Sequence, residues 1–384
     1  MKVSFIAERT ACYADALSDF IGYSMESAQD LSVKQLNSPL PDHQERRALA
    51  YAKKGIVLAL VSGMVFSLDG LLVTRSEAYK PFDNPALWLL APLVCAGVHD
   101  FFSAVLSTFI TVRQGRAREL YRSLRSKPGR SVIAGALMGA LLGVGSYMMA
   151  LKLAGPAYVL PITTLYPGVA AILADFLLKE RISLRAWGGL VLCSTGAVLI
   201  GYTPPESQTG ELFYWGLFFA ALAAVGWGAQ WVLATAGMDF IEPVVALNMY
   251  YLISSALYLF IIIPGAAWML PAEAGGMSVL LSFAGSAGCL FIGLAGIFGA
   301  VAYLCWYKSM NMTGVSRAMA VNINYALWAI LFSALFTKVE ITRSLVVGAV
   351  VIVAGMCLVI GNPKDMINLR NVEWRSLGMH FTLV

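Results

Sequence analysis

Charge is scarce in this chain. Only 13% of its 384 residues are Asp, Glu, Lys or Arg, whereas 59% are apolar and the mean hydropathy is +0.72. A soluble domain carries about 25% charged residues to coat its surface, so a water-soluble globule is excluded. Apolar runs such as 55–73, 87–112 and 213–235 can each cross a hydrocarbon core of about 30 Å as a helix. Their number leaves no room for a separate soluble catalytic domain. Other chemistry is missing too. There is no glycine-rich P-loop to cradle ATP phosphates. The three histidines lie far apart and the six cysteines (Cys12, Cys95, Cys193, Cys289, Cys305, Cys357) show no CxxC spacing, so neither a metal site nor a cofactor is expected. Cysteines inside apolar runs read as small buried hydrophobes. The first 51 residues lack the basic start and apolar run of a cleavable signal.

What charge there is sits unevenly. Seven cations (Arg113, Arg116, Arg118, Arg122, Arg125, Lys127, Arg130) crowd one loop between two apolar runs. That is positive-inside orientation, not a nucleic-acid surface. Spans are expected near 55–74, 86–112, 131–152, 156–178, 184–202, 213–235, 242–264, 287–307, 316–337 and 344–361. With the basic loop in the cytoplasm both termini are cytoplasmic, and only five of the 27 Lys/Arg (Arg75, Lys80, Lys152, Lys338, Arg343) fall outside. A bacterial plasma membrane is the expected location. Residues 1–53 read as a loosely ordered cytosolic tail, broken by Pro39 and Pro41, with Tyr13, Leu17, Phe20 and Ile21 able to share one helical face. Residues 362–384 form the second tail.

The chain repeats itself. A shift of 159 lays Tyr166 on Tyr325, Lys179 on Lys338, Gly189 on Gly348 and Gly196 on Gly355. A shift of 156 lays Gly143 on Gly299 and Tyr147 on Tyr303, and a shift of 161 lays Phe66 on Trp227 and Asp69 on Gln230. Residues 54–202 and 213–361 are therefore two copies of five spans. Five is odd, so the second copy is inverted in the membrane. Inverted repeats are a common basis of alternating access, with the site near mid-membrane where the halves meet.

The run from Leu165-Tyr166-Pro167-Gly168 to Leu178-Lys179-Glu180-Arg181-Ile182, the glycine-rich span ending Leu199-Ile200-Gly201, Trp227-Gly228, and Ala302-Tyr303-Leu304-Cys305-Trp306-Tyr307-Lys308 carry a family likeness. Over residues 54–361 the chain resembles the ten-helix EamA-type branch of the drug/metabolite transporter superfamily. The resemblance implies an all-α integral membrane protein that moves a small polar metabolite, as an exporter.

Asp69, a few residues from the external end of the first span, costs about 2.5–3.5 kcal/mol at the bilayer centre and must face protein or water. It could attract a substrate cation, exchange a proton, or be structural. His99 and Asp100 sit mid-span, about 100° apart around the helix. Asp100 is expected toward the pocket and His99 against a neighbouring helix. Proton relay and interhelical clamp are equal readings of this pair. Tyr147, Tyr166, Trp227, Tyr303 and Tyr325 are the aromatic candidates for the pocket, and an aromatic face beside a carboxylate suits an ammonium group. Gln230, Asn322 and Asn324 add amides, with Thr163 the repeat mate of Asn322. Pro161 and Pro167 should interrupt the fourth span and free carbonyls toward a cavity. Gly135, Gly139 and Gly143 permit close helix contact, and Asp175 is expected in an inner ion-pair network. Amino acids, amines or quaternary ammonium compounds are the favoured solutes, with protons as a possible coupling ion. A membrane-embedded enzyme using His99 and Asp100, or a non-transporting sensor, are the alternatives.

Overall fold

The computed structural model describes residues 42–82, 87, 90–180, 182–201, 212–269, 282–336 and 343–360. The expectations for residues 1–41 and 362–384, and for Arg181 and Lys338, fall outside them. In chain order the helices are α1 (Asp42–Glu77), α2 (Leu90–Arg113), α3 (Ala117–Leu124), α4 (Lys127–Ala154), α5 (Pro156–Thr163), α6 (Tyr166–Leu178), α7 (Leu184–Gly201), α8 (Phe213–Met238), α9 (Pro243–Trp268), α10 (Ala287–Thr313), α11 (Val315–Asn322), α12 (Tyr325–Phe336) and α13 (Arg343–Ile360). The α1 helix begins at Asp42, well inside the segment expected to be a tail. The sequence supplies a reason: the acidic Asp42 and Glu45 suit the positive end of a helix.

Nine apolar stretches among the described residues are long enough to cross a membrane, α5–α6 and α11–α12 each counting as one. The shorter α7 supplies the tenth, because it packs along α13, its repeat mate. A methyl built on Gly189 would lie 2.6 Å from the carbonyl oxygen of Gly355, and one on Gly196 would lie 2.7 Å from that of Gly348. Each glycine of one helix thus meets the mate of the other glycine, the reciprocity a two-fold axis demands. Cys193 marks the axis, since its thiol contacts the carbonyl of Ile352, its own repeat mate, at 3.7 Å. Small residues let the backbones close together where lipid gives no hydrophobic drive.

The first span of each repeat is lent to the other half. Gly216 and Gly226 of α8 close on Ala154 and Gly143 of α4, and Gly228 on Val169 of α6. Equivalently, Gly55 of α1 closes on Thr313 of α10, Ser62 donates to the Ala302 carbonyl at 2.8 Å, and Ser67 donates to the Tyr325 carbonyl.

Two spans are broken mid-way. The gap between α5 and α6 was expected from Pro161 and Pro167. The gap between α11 and α12 was not, because the corresponding residues are Ala320 and Ala326. The backbone nevertheless turns in the same way in both. Leu165 N–H bonds the Ile162 carbonyl at 3.1 Å and Asn324 N–H bonds the Val321 carbonyl at 3.1 Å. In the second copy a side chain substitutes for proline chemistry: the Asn324 amide donates to Val321 at 2.8 Å and to Ala59 of α1 at 3.4 Å. Such broken helices are tolerated at membrane depth where protein satisfies the freed groups.

Candidate functional site

The repeat predicts which aromatics should meet, and they do. Trp227 of α8 lies 5.4 Å from Tyr147 and 6.2 Å from Tyr166, ring centre to ring centre. Its mate Phe66 of α1 lies 5.9 Å from Tyr303 and 5.7 Å from Tyr325, the mates of those tyrosines. Two equivalent aromatic trios therefore stand in the two halves. The second is extended: Tyr303 also contacts Trp231 at 5.3 Å, Tyr251 at 5.7 Å, Trp306 at 5.6 Å and stacks on Tyr250 at 6.0 Å. The α4 helix loosens to wider turns over Met138–Gly145, opposite Trp227. Local π-helical turns of this kind recur at functional sites.

Polar chemistry breaks the symmetry. His99 of α2 contacts Asp69 of α1 through Nε2 at 3.2 Å and its neighbour Asp100 through Nδ1 at 3.0 Å. Ser254 of α9 donates to the other Asp100 oxygen. Asp69 and Asp100 are both buried, 4% and 8% exposed. Proton counting follows from donor chemistry. A neutral imidazole has one N–H, so bonding two carboxylates requires either a second ring proton or a protonated carboxyl. Gly299 of α10 makes the room, since a methyl there would lie 2.5 Å from His99 Nε2 and 3.3 Å from Asp69 Oδ2.

The His99–Asp100 pair was expected to divide its roles, Asp100 toward the pocket and His99 against a neighbouring helix. His99 does reach a neighbouring helix, but it also turns back to Asp100, which is tied to α9. At the position equivalent to Asp69, Gln230 fits into the slot left by Gly139, whose added methyl would meet Gln230 Oε1 at 1.8 Å. A chain of side chains, Ser254–Asp100–His99–Asp69, ties α9, α2 and α1 together. Gln230 Nε2 and both amide atoms of Asn322 are buried without a hydrogen-bond partner among the described residues.

Other expectations fare differently. Asn324 braces α1 against the break, with Gly63 closed on its amide, so its donor serves architecture. Thr163 bonds back to Val159 at 2.9 Å. Asp175 is exposed. The carboxylate that does join two loops is Glu180, which accepts from the Val315 N–H at 2.9 Å and from the Ser316 N–H and hydroxyl at 3.3 and 3.0 Å. Sequence reasoning missed Ser254, Gly299 and this Glu180 contact. A serine or glycine in an apolar span carries no signal of its own, although Gly299 had one as the mate of Gly143.

Inverted repeats, broken fourth and ninth spans and a buried acid–imidazole pair beside aromatics define a membrane transporter. The comparisons with known proteins say which kind. Residues 53–202 and 214–361 both match the EamA-like transporter family, and the chain belongs to that family. It is 25% identical over 282 residues to Protein LicB of Haemophilus influenzae, covering 72% of this chain and 87% of that protein. It is 22% identical over 239 residues to an uncharacterised transporter of Archaeoglobus fulgidus, covering 60% and 76%. A solved crystal structure shares the fold at a TM-score of 0.62 and 17% identity, over 79% of this chain and 96% of that one. The protein is an integral membrane transporter of the drug/metabolite type, acting on a small molecule.

Proposed function

We propose that the protein is a secondary exporter of a small cationic metabolite, an amino acid, amine or quaternary ammonium compound, by exchange for a proton. The observation that carries this reading is the Asp69–His99–Asp100 cluster, two buried carboxylates bridged by one imidazole, with Asp69 on the same helix as Phe66 of the aromatic group. A cation arriving at Asp69 would find a carboxylate and π-faces, the two features that favour an ammonium group. Charge balance then favours release of one shared proton through His99. An inward proton gradient would drive the cation out by the same exchange. The two five-span repeats, 54–202 and 213–361, supply the alternating halves, and the broken spans lie beside the aromatic trios they would have to open. The basic loop between α2 and α3 and the cations at 125–130 favour a bacterial inner membrane with both termini in the cytoplasm. Nothing in the proposal requires turnover chemistry.

Currents from proteoliposomes on a solid-supported membrane test it, with amines, quaternary ammonium compounds, amino acids and organic anions presented under set proton gradients. Cation-triggered flux, weakened at least tenfold in Asp69→Asn with its folding intact, is the expected result. Because a one-for-one exchange with a monovalent cation is electrically silent, a pH-sensitive dye inside the vesicles is read in parallel. Flux of anions alone, or an unchanged Asp69→Asn response in both signals, sinks the assignment.

A further inference from the structure

The Glu180 contact couples the two broken spans at one end of the bundle. Glu180 follows α6, whose last turn closes over Lys179 in the left-handed region, with Glu180 N–H bonded to the Ala174 carbonyl at 3.2 Å. Its carboxylate, 1% exposed, then caps α11 through Val315 and Ser316. Gly314, with φ +83°, brings this helix start against it: a methyl there would sit 3.0–3.1 Å from the Glu180 carboxylate atoms. Charge-assisted bonds at a helix start are among the stronger ones available to a protein.

The repeat says what the opposite end of the bundle has in its place. The shift of 159 lays Gly314 on Gly155, and the two glycines share one conformation (φ 83°, ψ 162° and φ 75°, ψ 163°). It also lays Val315 on Pro156, Ser316 on Ala157 and Glu180 on Val339. Two donors and the acceptor of the contact are therefore missing from the equivalent residues: proline has no N–H, alanine no hydroxyl and valine no carboxylate, although the Ala157 N–H remains. The glycine turn is repeated and the residues that bond across it are not.

We propose that Glu180 is a one-sided latch, holding closed the end of the transporter that carries the basic loop and releasing Val315 and Ser316 when that end opens. The opposite end has no such restraint from the equivalent residues and opens more readily, so the empty protein favours it. The proposal rests on alternating access, but not on Asp69 or on the identity of the solute. Loss of even one bond to a charged group, about 1.5–3 kcal/mol, shifts such an equilibrium by roughly 10- to 100-fold.

The test uses the full chain in lipid nanodiscs. A Leu190→Cys substitution, in a background with the native cysteines replaced, reports on the small cavity beside Glu180 that Leu190 and Ala186 line. Maleimide labelling there and amide hydrogen exchange over residues 314–318 are followed with and without the latch. Glu180→Ala should raise both rates at least tenfold, Glu180→Gln less, and Ser316→Ala least. Labelling of a cysteine at Tyr158, toward the opposite end, should fall or stay constant. Where Glu180→Ala does not fold, the Gln and Ser316→Ala variants carry the test. Faster exchange at 314–318 with unchanged Leu190→Cys labelling makes Glu180 a helix cap alone and overturns the latch. That outcome leaves the Asp69 reading untouched, just as an inert Asp69→Asn leaves the latch untouched.

Discussion

Replacing Gly299 with alanine is the smallest perturbation that reaches the acid cluster. The added methyl would begin 2.5 Å from His99 Nε2 and 3.3 Å from Asp69 Oδ2. Carbon contacts settle near 3.5–4.0 Å, so the ring must retreat by about 1 Å. The His99–Asp69 contact, 3.2 Å at the start, then passes beyond hydrogen-bonding range. Losing a bond to a charged group costs about 1.5–3 kcal/mol, and forcing a methyl into a filled interior costs about 1–3 kcal/mol. Together they predict about 2.5–6 kcal/mol of destabilisation, read as thermal unfolding in detergent. Cation affinity should fall about 10- to 100-fold, the equivalent of about 1.4–2.8 kcal/mol. Gly70, next to Asp69, is the control. Its added methyl meets nothing within 4 Å, so Gly70→Ala should be neutral or stabilise by about 0.8–1 kcal/mol through helix propensity. A double-mutant cycle decides the cause. If Gly299→Ala acts through Asp69, its effect on cation binding disappears in an Asp69→Asn background. Equal losses in both backgrounds would refute the argument, as would a Gly299→Ala protein that binds like the parent.

Two further substitutions probe the frame. Asn248 of α9 accepts from Thr108 at 2.9 Å and Ser107 at 3.3 Å and donates to Thr111 at 3.2 Å. Asn248→Leu strands the Thr108 hydroxyl, while Ser107 and Thr111 keep the Ala104 and Ser107 carbonyls, and should cost about 1–3 kcal/mol, on the scale of one orphaned polar group, seen as a lowered unfolding midpoint. Gly196→Val places its branches against the Gly348 carbonyl, 2.7 Å from where even a methyl would sit, and should separate α7 from α13. Loss of folded protein in a detergent chromatogram is expected there, while the same change at Gly188, with nothing within 4 Å, is tolerated.

Membrane class, span number and the two-repeat organisation were legible in the sequence because hydropathy and spacing report them directly. The trios around Trp227 and Phe66 were half legible. The repeat gave their mates, but nothing in one span's letters told that α8 would pack on α4 and α6 rather than within its own copy. The break between α11 and α12 was illegible for a sharper reason. Proline announced its partner in the first copy, whereas in the second an asparagine amide does the work, and asparagine has many other uses. Glu180 was visible only as part of a charged loop motif. Its role depends on a helix start 135 residues away, a distance that local pattern cannot span.

The acid cluster raises a last question of symmetry, and the answer is testable. If the two halves were chemically interchangeable, a carboxylate should be as welcome at position 230 as at 69. The surroundings argue otherwise. Asp69 is held by His99, whereas Gln230 lies against Gly139, which carries no charge. A buried carboxylate without a cationic partner costs several kcal/mol even after relaxation. Gln230→Glu should therefore lower the unfolding midpoint, whereas Gln230→Leu, close in size and uncharged, avoids that cost. Adding a saturating organic cation should recover part of the Glu variant's stability and little of the Leu variant's, since only the former offers the cation a charge to neutralise. Equal midpoints for the two variants would mean that position 230 already faces water or a counter-charge. The fold would then keep its two-fold symmetry in chemistry as well as in shape, and Asp69 would lose its claim to be the single charged pole.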